Sequence, residues 1–289
     1  MSTQFNIIQL LQGSPEWLQY RLAKRNASES AAVLGLSPWT TPYQLWLIKT
    51  GRLVQAANAP MLRGIELEPI ARAHYELQTG LVMQPLVLES GDYSASLDGM
   101  TLEGDLILEI KCPYKGQDSA LWHGVAAGTA PEHYMIQLQH QLMVSGADVA
   151  HLFVFDGRQG LLLEVRRDET VMQRVRTAWD SFQQYLDSDT PPPLTDADTV
   201  VREDSNWSAA ARNYSEAKAA VDAADAVLAA AREKLVALAQ HPKETGGGVS
   251  VTRFWKSGSV DYKRVPELKG VDLDAYRGKM REEVRVTSN

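Results

Sequence analysis

The sequence contains a single cysteine, Cys112, and no long apolar run. One cysteine excludes an intramolecular disulfide and a cysteine-rich zinc site. No segment approaches the about 20 consecutive apolar residues that a membrane-spanning helix needs. The opening segment, MSTQFNIIQLLQGSPEW, lacks the basic flank and the small-residue cleavage site of a signal peptide. We therefore expect a cytoplasmic protein that does not associate with a membrane.

Two common kinds of functional motif are also missing. The six histidines show neither an HExxH motif nor another paired metal-ligand spacing. No glycine-rich loop is followed by Lys-Ser or Lys-Thr, so ATP-driven translocation is not expected. The formal net charge of −7 argues against an unselective nucleic-acid coat. It is compatible with a local basic groove, because net charge does not say where the charges lie.

Helical and strand-like segments alternate up to about residue 187. SPEWLQYRLA predicts a helix that begins after Ser14, with Pro15 at its first position. Strands are predicted in LVMQPLVLES, YSASLD, LILEIKC and HLFVFDG. This alternation predicts an α/β or α+β core domain over residues 1–187, with a central mixed sheet flanked by helices.

The composition changes after the core. Residues 188–206 are acidic and include three successive prolines, which predicts a linker. From Trp207 to Leu238 apolar residues recur in a heptad pattern, which predicts one long helix over residues 207–240. Such a helix packs either in a coiled coil or against its own chain.

The remainder of the 207–289 extension predicts a hairpin that turns at Lys256–Ser259, followed by a short helix. Its mixture of basic and aromatic residues suits contact with DNA and equally a small solvated module. A role in docking a partner protein is a third interpretation of this extension.

Charged side chains interrupt the apolar strand LILEIKCP. Glu109 and Lys111 are two residues apart, so they share one face of the strand. A buried charge is unfavourable unless it is paired or binds a metal. Asp98 precedes Gly99 in a turn-forming pair, and the turn can bring it beside Glu109. A structural ion pair between Glu109 and Lys111 would give the same spacing.

Two carboxylates without histidine or cysteine form an all-oxygen site, which favours Mg²⁺ or Mn²⁺ over zinc. Lys111 reaches the same space, where it would hold or deprotonate a water or offset charge on a phosphate oxygen. The order Asp, Glu-x-Lys is used by metal-dependent phosphodiesterases, although short matches to it also arise by chance.

Four motifs occur in the order found in one nuclease family. They are GSPEWLQYRLAKRNASESAAVLGLSPWTTPYQLWLIKTG, RGIELEPIARAHYELQTG, SASLDGMTLEGDLILEIKCP and YMIQLQHQLMVSG. Over about residues 9 to 190 the sequence resembles the phage-type recombination exonucleases, the lambda exonuclease or YqaJ family. The resemblance implies a restriction-endonuclease-like core.

The resemblance implies roles for the residues around Asp98. Asp98 and Glu109 match the family's ligands for divalent metals, with the backbone carbonyl of Ile110 as a further ligand. Lys111 matches the catalytic lysine, as a water activator or a charge stabiliser. Mg²⁺ or Mn²⁺, with two ions per site, is the implied cofactor.

Other matched positions lie further along the chain. Glu68 matches a helix acid that positions the metals or the attacking water, and Gln137 matches a glutamine that lines the site. Arg21 and Ser28 match the residues that grip the terminal 5′-phosphate; an arginine fork suits this anion. Without the resemblance, Glu68 and Arg21 would be solvated helix residues, Gln137 a polar helix position and Ser28 an N-cap.

The resemblance implies a 5′-to-3′ exonuclease that degrades one strand of linear double-stranded DNA from a 5′-phosphorylated end and leaves 3′ overhangs. It also implies a phage or prophage origin, a single-strand annealing protein as partner, and a homo-oligomer such as a ring-shaped trimer. The alternatives are an endonuclease of the same fold and a non-catalytic module that binds DNA ends or a partner.

Overall fold

The computed structural model describes residues 5–54, 58–256, 265–268 and 270–271. The chain divides into two compact units, Met1–Thr199 and Val200–Asn289. The helices of the first unit are α1 (Pro15–Leu22), α2 (Ser30–Val33), α3 (Pro42–Lys49), α4 (Ala59–Thr79), α5 (Ala120–Ala126), α6 (Glu132–Ser145) and α7 (Glu169–Asp187). Its strands are β1 (Asn6–Ile7), β2 (Arg25–Asn26), β3 (Leu86–Ser90), β4 (Tyr93–Leu97), β5 (Gly99–Met100), β6 (Leu106–Lys111), β7 (Val149–Phe155) and β8 (Gly160–Arg166).

The strands form two four-stranded sheets. One has the order β1-β3-β4-β2 and the other the order β5-β6-β7-β8. In the second sheet β6 pairs with β7 in parallel, and its other pairings are antiparallel. Helices pack against the sheets, so the predicted mixed α/β core is confirmed. Within the described residues, no helix is both long and apolar enough to cross a membrane.

Strand β6 is covered on both faces, as its alternating sequence predicts. Leu108 and Ile110 belong to a cluster with Tyr75 of α4 and Phe153 of β7. Ile107, on the opposite face, belongs to the larger core that contains the inner side of α6. Glu109 and Lys111 lie on the same face as Ile107, because side chains alternate along a strand. The two charges are therefore held between β6 and α6.

Helix α1 begins as predicted. Ser14 Oγ accepts a hydrogen bond from the backbone N–H of Trp17 at 3.2 Å, and Pro15 occupies the first position. The chain then turns into β2, which pairs in parallel with β4 through Arg25–Tyr93 and Asn26–Ser94. This pairing brings the region around Arg21 beside the strand that precedes Asp98.

The first unit continues beyond residue 187, where the predicted core domain ends. Asp189 forms an ion pair with Arg52 at 2.8 Å, and Thr41 donates a hydrogen bond to Asp198. Pro192 is buried. These contacts place residues 188–199, the first part of the predicted linker, in the first compact unit.

The second unit contains a long helix, α8 (Ser205–Leu238), close to the predicted span 207–240. After it, β9 (Lys243–Gly246) and β10 (Val249–Thr252) pair antiparallel. The turn is Gly247–Gly248, and both glycines have positive φ, 58° and 82°. A two-residue turn of this kind favours positive φ at both positions. Strand β10 therefore pairs with the residues before it; most of the predicted turn at Lys256–Ser259 lies outside the described residues.

Candidate active site

Asp98 lies where the two sheets of the first unit meet, between the end of β4 and the start of β5. A Cβ atom at the next residue, Gly99, would lie 2.6 Å from Met83 Cβ, so the turn requires glycine here. Strand β5 pairs with Ile107 and Leu108 of β6. Further along the same edge of β6, the backbone N–H of Ile110 donates a hydrogen bond to Asp98 Oδ2 at 2.7 Å. The Asp98 carboxylate is thus fixed against β6.

Glu109 is 3% exposed, and three side chains donate hydrogen bonds to it. Lys111 Nζ and Gln137 Nε2 both donate to Oε1, the second at 2.6 Å. Gln141 Nε2 donates to Oε2 at 2.5 Å. The ammonium group of Lys111 also lies 5.6 Å from the ring centroid of Tyr134. The Glu109 carboxylate is therefore held in one orientation by donors from β6 and α6.

The site carries an excess of negative charge. Burial, together with the charges of Glu109 and Glu68, raises the pKa of Asp98 well above its usual range. Burial alone would lower the pKa of Lys111, but Glu109 and Asp98 raise that pKa above its usual value. Lys111 is therefore protonated, and its single positive charge does not balance Asp98 and Glu109 when both are ionised, while the charge of Glu68 is paired with Arg72. A bound cation would relieve the remaining repulsion.

The donor set fits Mg²⁺ or Mn²⁺ rather than a softer metal. In the part of the chain that the structure describes, no three His, Cys, Asp or Glu side chains are assembled as a ready-made metal site. Mg²⁺ does not need one, because it keeps several waters and is commonly held by one or two carboxylates plus substrate phosphate oxygens. Asp98 and Glu109 supply two such carboxylates.

Glu68 is the third carboxyl group near the site, and it has an ion-pair partner on its own helix. It lies on α4 and lines the wide groove that contains Asp98, Glu109, Ile110 and Lys111. Its Oε1 forms an ion pair with Arg72 at 2.6 Å. The charge of Glu68 therefore contributes to the raised pKa of Asp98. The Glu68 carboxylate itself is held by Arg72, one helical turn further along α4.

Arg21 and Ser28, which are distant in the sequence from Asp98, are close to it in space. Arg21 Nη2 donates to Ser28 Oγ at 3.0 Å. Both residues line one small cavity with Asp98, Glu109 and Gln137. The structure thus brings the predicted phosphate-binding residues and the predicted metal-binding carboxylates to the same cavity.

A network of charged groups, anchored by the buried Lys49, fixes the position of Arg21. Glu29 accepts from Arg21 at 3.0 Å and from Lys49 at 2.6 Å. The side chain of Lys49 is 2% exposed, and it also donates to the backbone carbonyls of Arg21 and Lys24. Burial lowers the pKa of Lys49, and the charge of Glu29 opposes this shift. The Arg21 guanidinium is therefore held in one defined position beside the cavity.

Comparison with known proteins gives a family similarity for the part of the chain that contains this site. Residues 16–148 match the YqaJ-like viral recombinase domain. The chain is similar to the YqaJ-like viral recombinases. The predicted resemblance is confirmed, and residues 16–148, the YqaJ-like region, include all eight predicted site residues.

Two individual proteins show the same similarity. The uncharacterized protein YqaJ of Bacillus subtilis (strain 168) is 27% identical over 177 residues, which are 58% of this chain and 54% of that protein. The chain therefore matches about half the length of this relative. An alkaline exonuclease (LHK-Exo) from Laribacter hongkongensis is 26% identical, with a TM-score of 0.52 over 61% of this chain and 94% of the other. The structure of LHK-Exo in complex with dAMP gives a TM-score of 0.53. The core thus has the predicted restriction-endonuclease-like fold.

Two residues in the YqaJ-like region that were not predicted from the sequence contact the predicted site. The ring centroid of Trp17 lies 4.6 Å from the guanidinium carbon of Arg21, and Trp17 Nε1 donates a hydrogen bond to Ser96 Oγ. Gln141 donates to Glu109 from α6. Both lie four residues from a predicted site residue on the same helix, Arg21 and Gln137 respectively. The i,i+4 spacing that places side chains on one helix face was the available signal.

Proposed function

We propose that this protein is a Mg²⁺-dependent 5′-to-3′ exonuclease that degrades one strand of linear double-stranded DNA from a 5′-phosphorylated end. The observation that carries the proposal is the single cavity shared by Asp98, Glu109, Arg21 and Ser28. A cation-binding pair next to an anion-binding pair suits a reaction at the first phosphodiester after a terminal phosphate. The similarity to an alkaline exonuclease supports this assignment.

The metal-binding role is proposed for Asp98, Glu109 and the carbonyl oxygen of Ile110. The N–H of Ile110 points to Asp98. In a β-strand the N–H and C=O of one residue point to the same side, so we expect the Ile110 carbonyl to face the same open edge. When bound, Mg²⁺ supplies a nucleophilic hydroxide and stabilises the leaving oxygen, with two ions sharing these tasks. Glu68 would hold a water or an outer ligand from α4.

Lys111 is proposed to stabilise charge rather than to act as a base. Its ammonium group is bonded to Glu109 and lies near Asp98, and both charges favour the protonated form, which raises the pKa of Lys111. A protonated amine donates hydrogen bonds and cannot accept a proton from water. It would therefore orient a phosphate oxygen and offset the negative charge that develops on it. Gln137, which lines the cavity, would hold both the Glu109 carboxylate and a bound water in position.

Arg21 and Ser28 are proposed to bind the terminal 5′-phosphate. The guanidinium can donate two parallel hydrogen bonds to a phosphate, and the Ser28 hydroxyl can add a third. Because Glu29 already neutralises part of the Arg21 charge, a doubly charged phosphate end would compete better than a singly charged diester. This difference would direct cutting to 5′-phosphorylated ends.

The similarity to viral recombinases supports a place in phage-type recombination. The product would be duplex DNA with a 3′ single-stranded overhang, the substrate that a single-strand annealing protein needs. We further propose that the protein works as a homo-oligomer, such as a ring-shaped trimer around DNA, in the cytoplasm of a bacterial host.

The decisive experiment is digestion of a linear duplex labelled at either end, with Mg²⁺ and with EDTA. We expect mononucleotides to be released from the 5′-phosphorylated strand in Mg²⁺ and no release in EDTA. A covalently closed circle of the same sequence should stay intact. Cutting of the circle would favour an endonuclease, and binding of duplex ends without any hydrolysis would favour a non-catalytic module.

Replacing Arg21 by alanine should reduce the preference for 5′-phosphate over 5′-hydroxyl ends by about 10- to 100-fold, because hydrogen bonds to charged groups contribute about 1.5–3 kcal/mol. The measurement is the ratio of initial digestion rates on the two substrates. Arg174→Ala is the matched control, since Arg174 pairs with the half-exposed Glu132 on the surface. An unchanged ratio in Arg21→Ala would remove the phosphate role.

A further inference from the structure

Gln141 connects β6, which carries Glu109, to β4, the strand that ends just before Asp98. Its Nε2 donates to Glu109 Oε2 on β6 at 2.5 Å and to the backbone carbonyl of Ser96 on β4 at 3.3 Å. Ser96 lies two residues before Asp98. Strands β4 and β6 belong to different sheets. One amide on α6 therefore spans the junction across which Asp98 and Glu109 face each other.

Gln141 differs from Gln137, although both donate to Glu109 from the same helix. Gln137 lines the cavity and bonds Oε1. Gln141 is 0% exposed and bonds the other oxygen, Oε2. A residue without exposed surface does not touch a DNA substrate, so any effect of Gln141 on the reaction has to pass through Glu109 and β4.

Packing alone does not account for an amide at this position. Among the described residues Gln141 Oε1 is buried and has no hydrogen-bond partner. The reverse orientation of the amide would place Oε1 against the Glu109 carboxylate, which would repel it, so the nitrogen faces Glu109. An unpaired buried carbonyl is unfavourable, and an apolar side chain of similar length would avoid it. The amide is thus kept for the bond that it donates.

We propose that Gln141 is a positioning residue that sets the orientation of the Glu109 carboxylate and its distance from Asp98, and thereby the affinity for the divalent cation. This inference rests on the metal-binding part of the proposed function. Gln141 donates to Oε2 of Glu109, whereas Lys111 and Gln137 donate to Oε1, so both oxygens of the carboxylate are held. Without that bond the carboxylate turns about its side-chain torsions, and two carboxylates no longer present a fixed pair of oxygens to the ion.

The test is a titration of the full-length protein with Mn²⁺, followed by electron paramagnetic resonance of the free ion. In Gln141→Leu we expect the Mn²⁺ dissociation constant to rise about tenfold, the lower end of the loss seen when a group that orients a metal ligand is removed. We also expect the thermal midpoint without metal to change little, because the variant removes an unpaired buried carbonyl but also leaves Glu109 Oε2 and the Ser96 carbonyl without the Gln141 donor. In the digestion assay the Mg²⁺ concentration for half-maximal rate should rise by a similar factor, and excess Mg²⁺ should restore much of the rate.

Gln139 supplies the matched control. It is also a buried glutamine of α6, but its Nε2 donates to the Arg166 carbonyl at 2.7 Å and its Oε1 accepts from Asp168 N–H at 2.8 Å. Gln139→Leu should therefore lower the thermal midpoint and leave the Mn²⁺ affinity unchanged. The contrast between the two leucine variants separates a positioning role from a structural one.

Unchanged Mn²⁺ affinity in Gln141→Leu, or a loss no larger than that in Gln139→Leu, would overturn the inference. If Gln141→Leu does not fold, Gln141→Met carries the same comparison with an unbranched side chain of similar length. Absence of Mn²⁺ binding by the parental protein would overturn both this inference and the metal site. A parental protein that binds Mn²⁺ in a Gln141-dependent way but cuts no DNA would refute only the proposed nuclease function.

Discussion

Replacing Asp98 by asparagine, or Glu109 by glutamine, is expected to reduce DNA cleavage in Mg²⁺ by on the order of 10³-fold, because each change removes one of the two proposed anionic metal ligands. Both substitutions keep the size of the side chain. In the Asp98→Asn variant the amide oxygen of the new side chain would still accept the Ile110 N–H. The loss should therefore appear in the digestion rate of a labelled linear duplex, with binding of DNA ends in EDTA largely retained.

The Asp98→Asn variant should also be more stable than the parent in the absence of metal. Ionised Asp98 is disfavoured by burial and by the charges of Glu109 and Glu68, as its raised pKa shows. A neutral amide removes this repulsion. Thermal unfolding in EDTA at neutral pH measures the effect, and added Mg²⁺ should stabilise the parent more than the variant.

Glu103→Gln is the control for both carboxylate variants. Glu103 is exposed in the loop between β5 and β6, a few residues from the site. This variant should digest DNA at the parental rate and unfold at the parental temperature. If Asp98→Asn or Glu109→Gln matched this control in digestion, the metal site would have been assigned to the wrong residues.

Replacing Lys111 by methionine should lower the digestion rate at saturating Mg²⁺ by about 10²- to 10³-fold, the usual effect of removing one charge-stabilising donor. Methionine keeps most of the length of the side chain but lacks the ammonium group that lies over the Tyr134 ring. Stability without metal should fall, because the Lys111 ammonium offsets the repulsion between Glu109 and Asp98. Single-turnover digestion with saturating enzyme separates this chemical effect from weaker DNA binding.

Lys115→Met tests whether a nearby positive charge is enough. Lys115 is exposed four residues beyond Lys111, so its loss removes the same charge without touching Glu109. We expect no more than a small change in DNA affinity. Parental single-turnover rates in Lys111→Met would show that the lysine serves only the ion pair with Glu109.

Local sequence was sufficient for much of the core. The Ser14 cap and Pro15 set the start of α1 through bonds within one turn. The alternation in LILEIKCP set which face of β6 carries Glu109 and Lys111, because the two-residue period is a property of the strand itself. The heptad pattern predicted α8 to within two residues at each end. Each of these features depends on residues that are neighbours in the chain.

The hairpin of the second unit shows a pairing that local sequence did not predict. The sequence VSVT reads as a strand whichever segment pairs with it. The pairing was decided by Gly247 and Gly248, which allow a two-residue turn back to Lys243–Gly246. Likewise, residues 188–199 have the composition of a linker, but contacts with Arg52 and Thr41 place them in the first unit.

By itself the sequence predicted most of the secondary structure of the core. It also pointed to Asp98, Glu109 and Lys111 as candidate site residues and to a family resemblance that covers them. Only the tertiary structure decided that Arg21 shares a cavity with Asp98 and Glu109, that Glu68 turns to Arg72, and that Gln141 joins β4 to β6. The physical reason is range. Capping and alternation are fixed within a few residues, whereas a cavity or a bridging amide depends on how two sheets and a helix pack after the chain has folded.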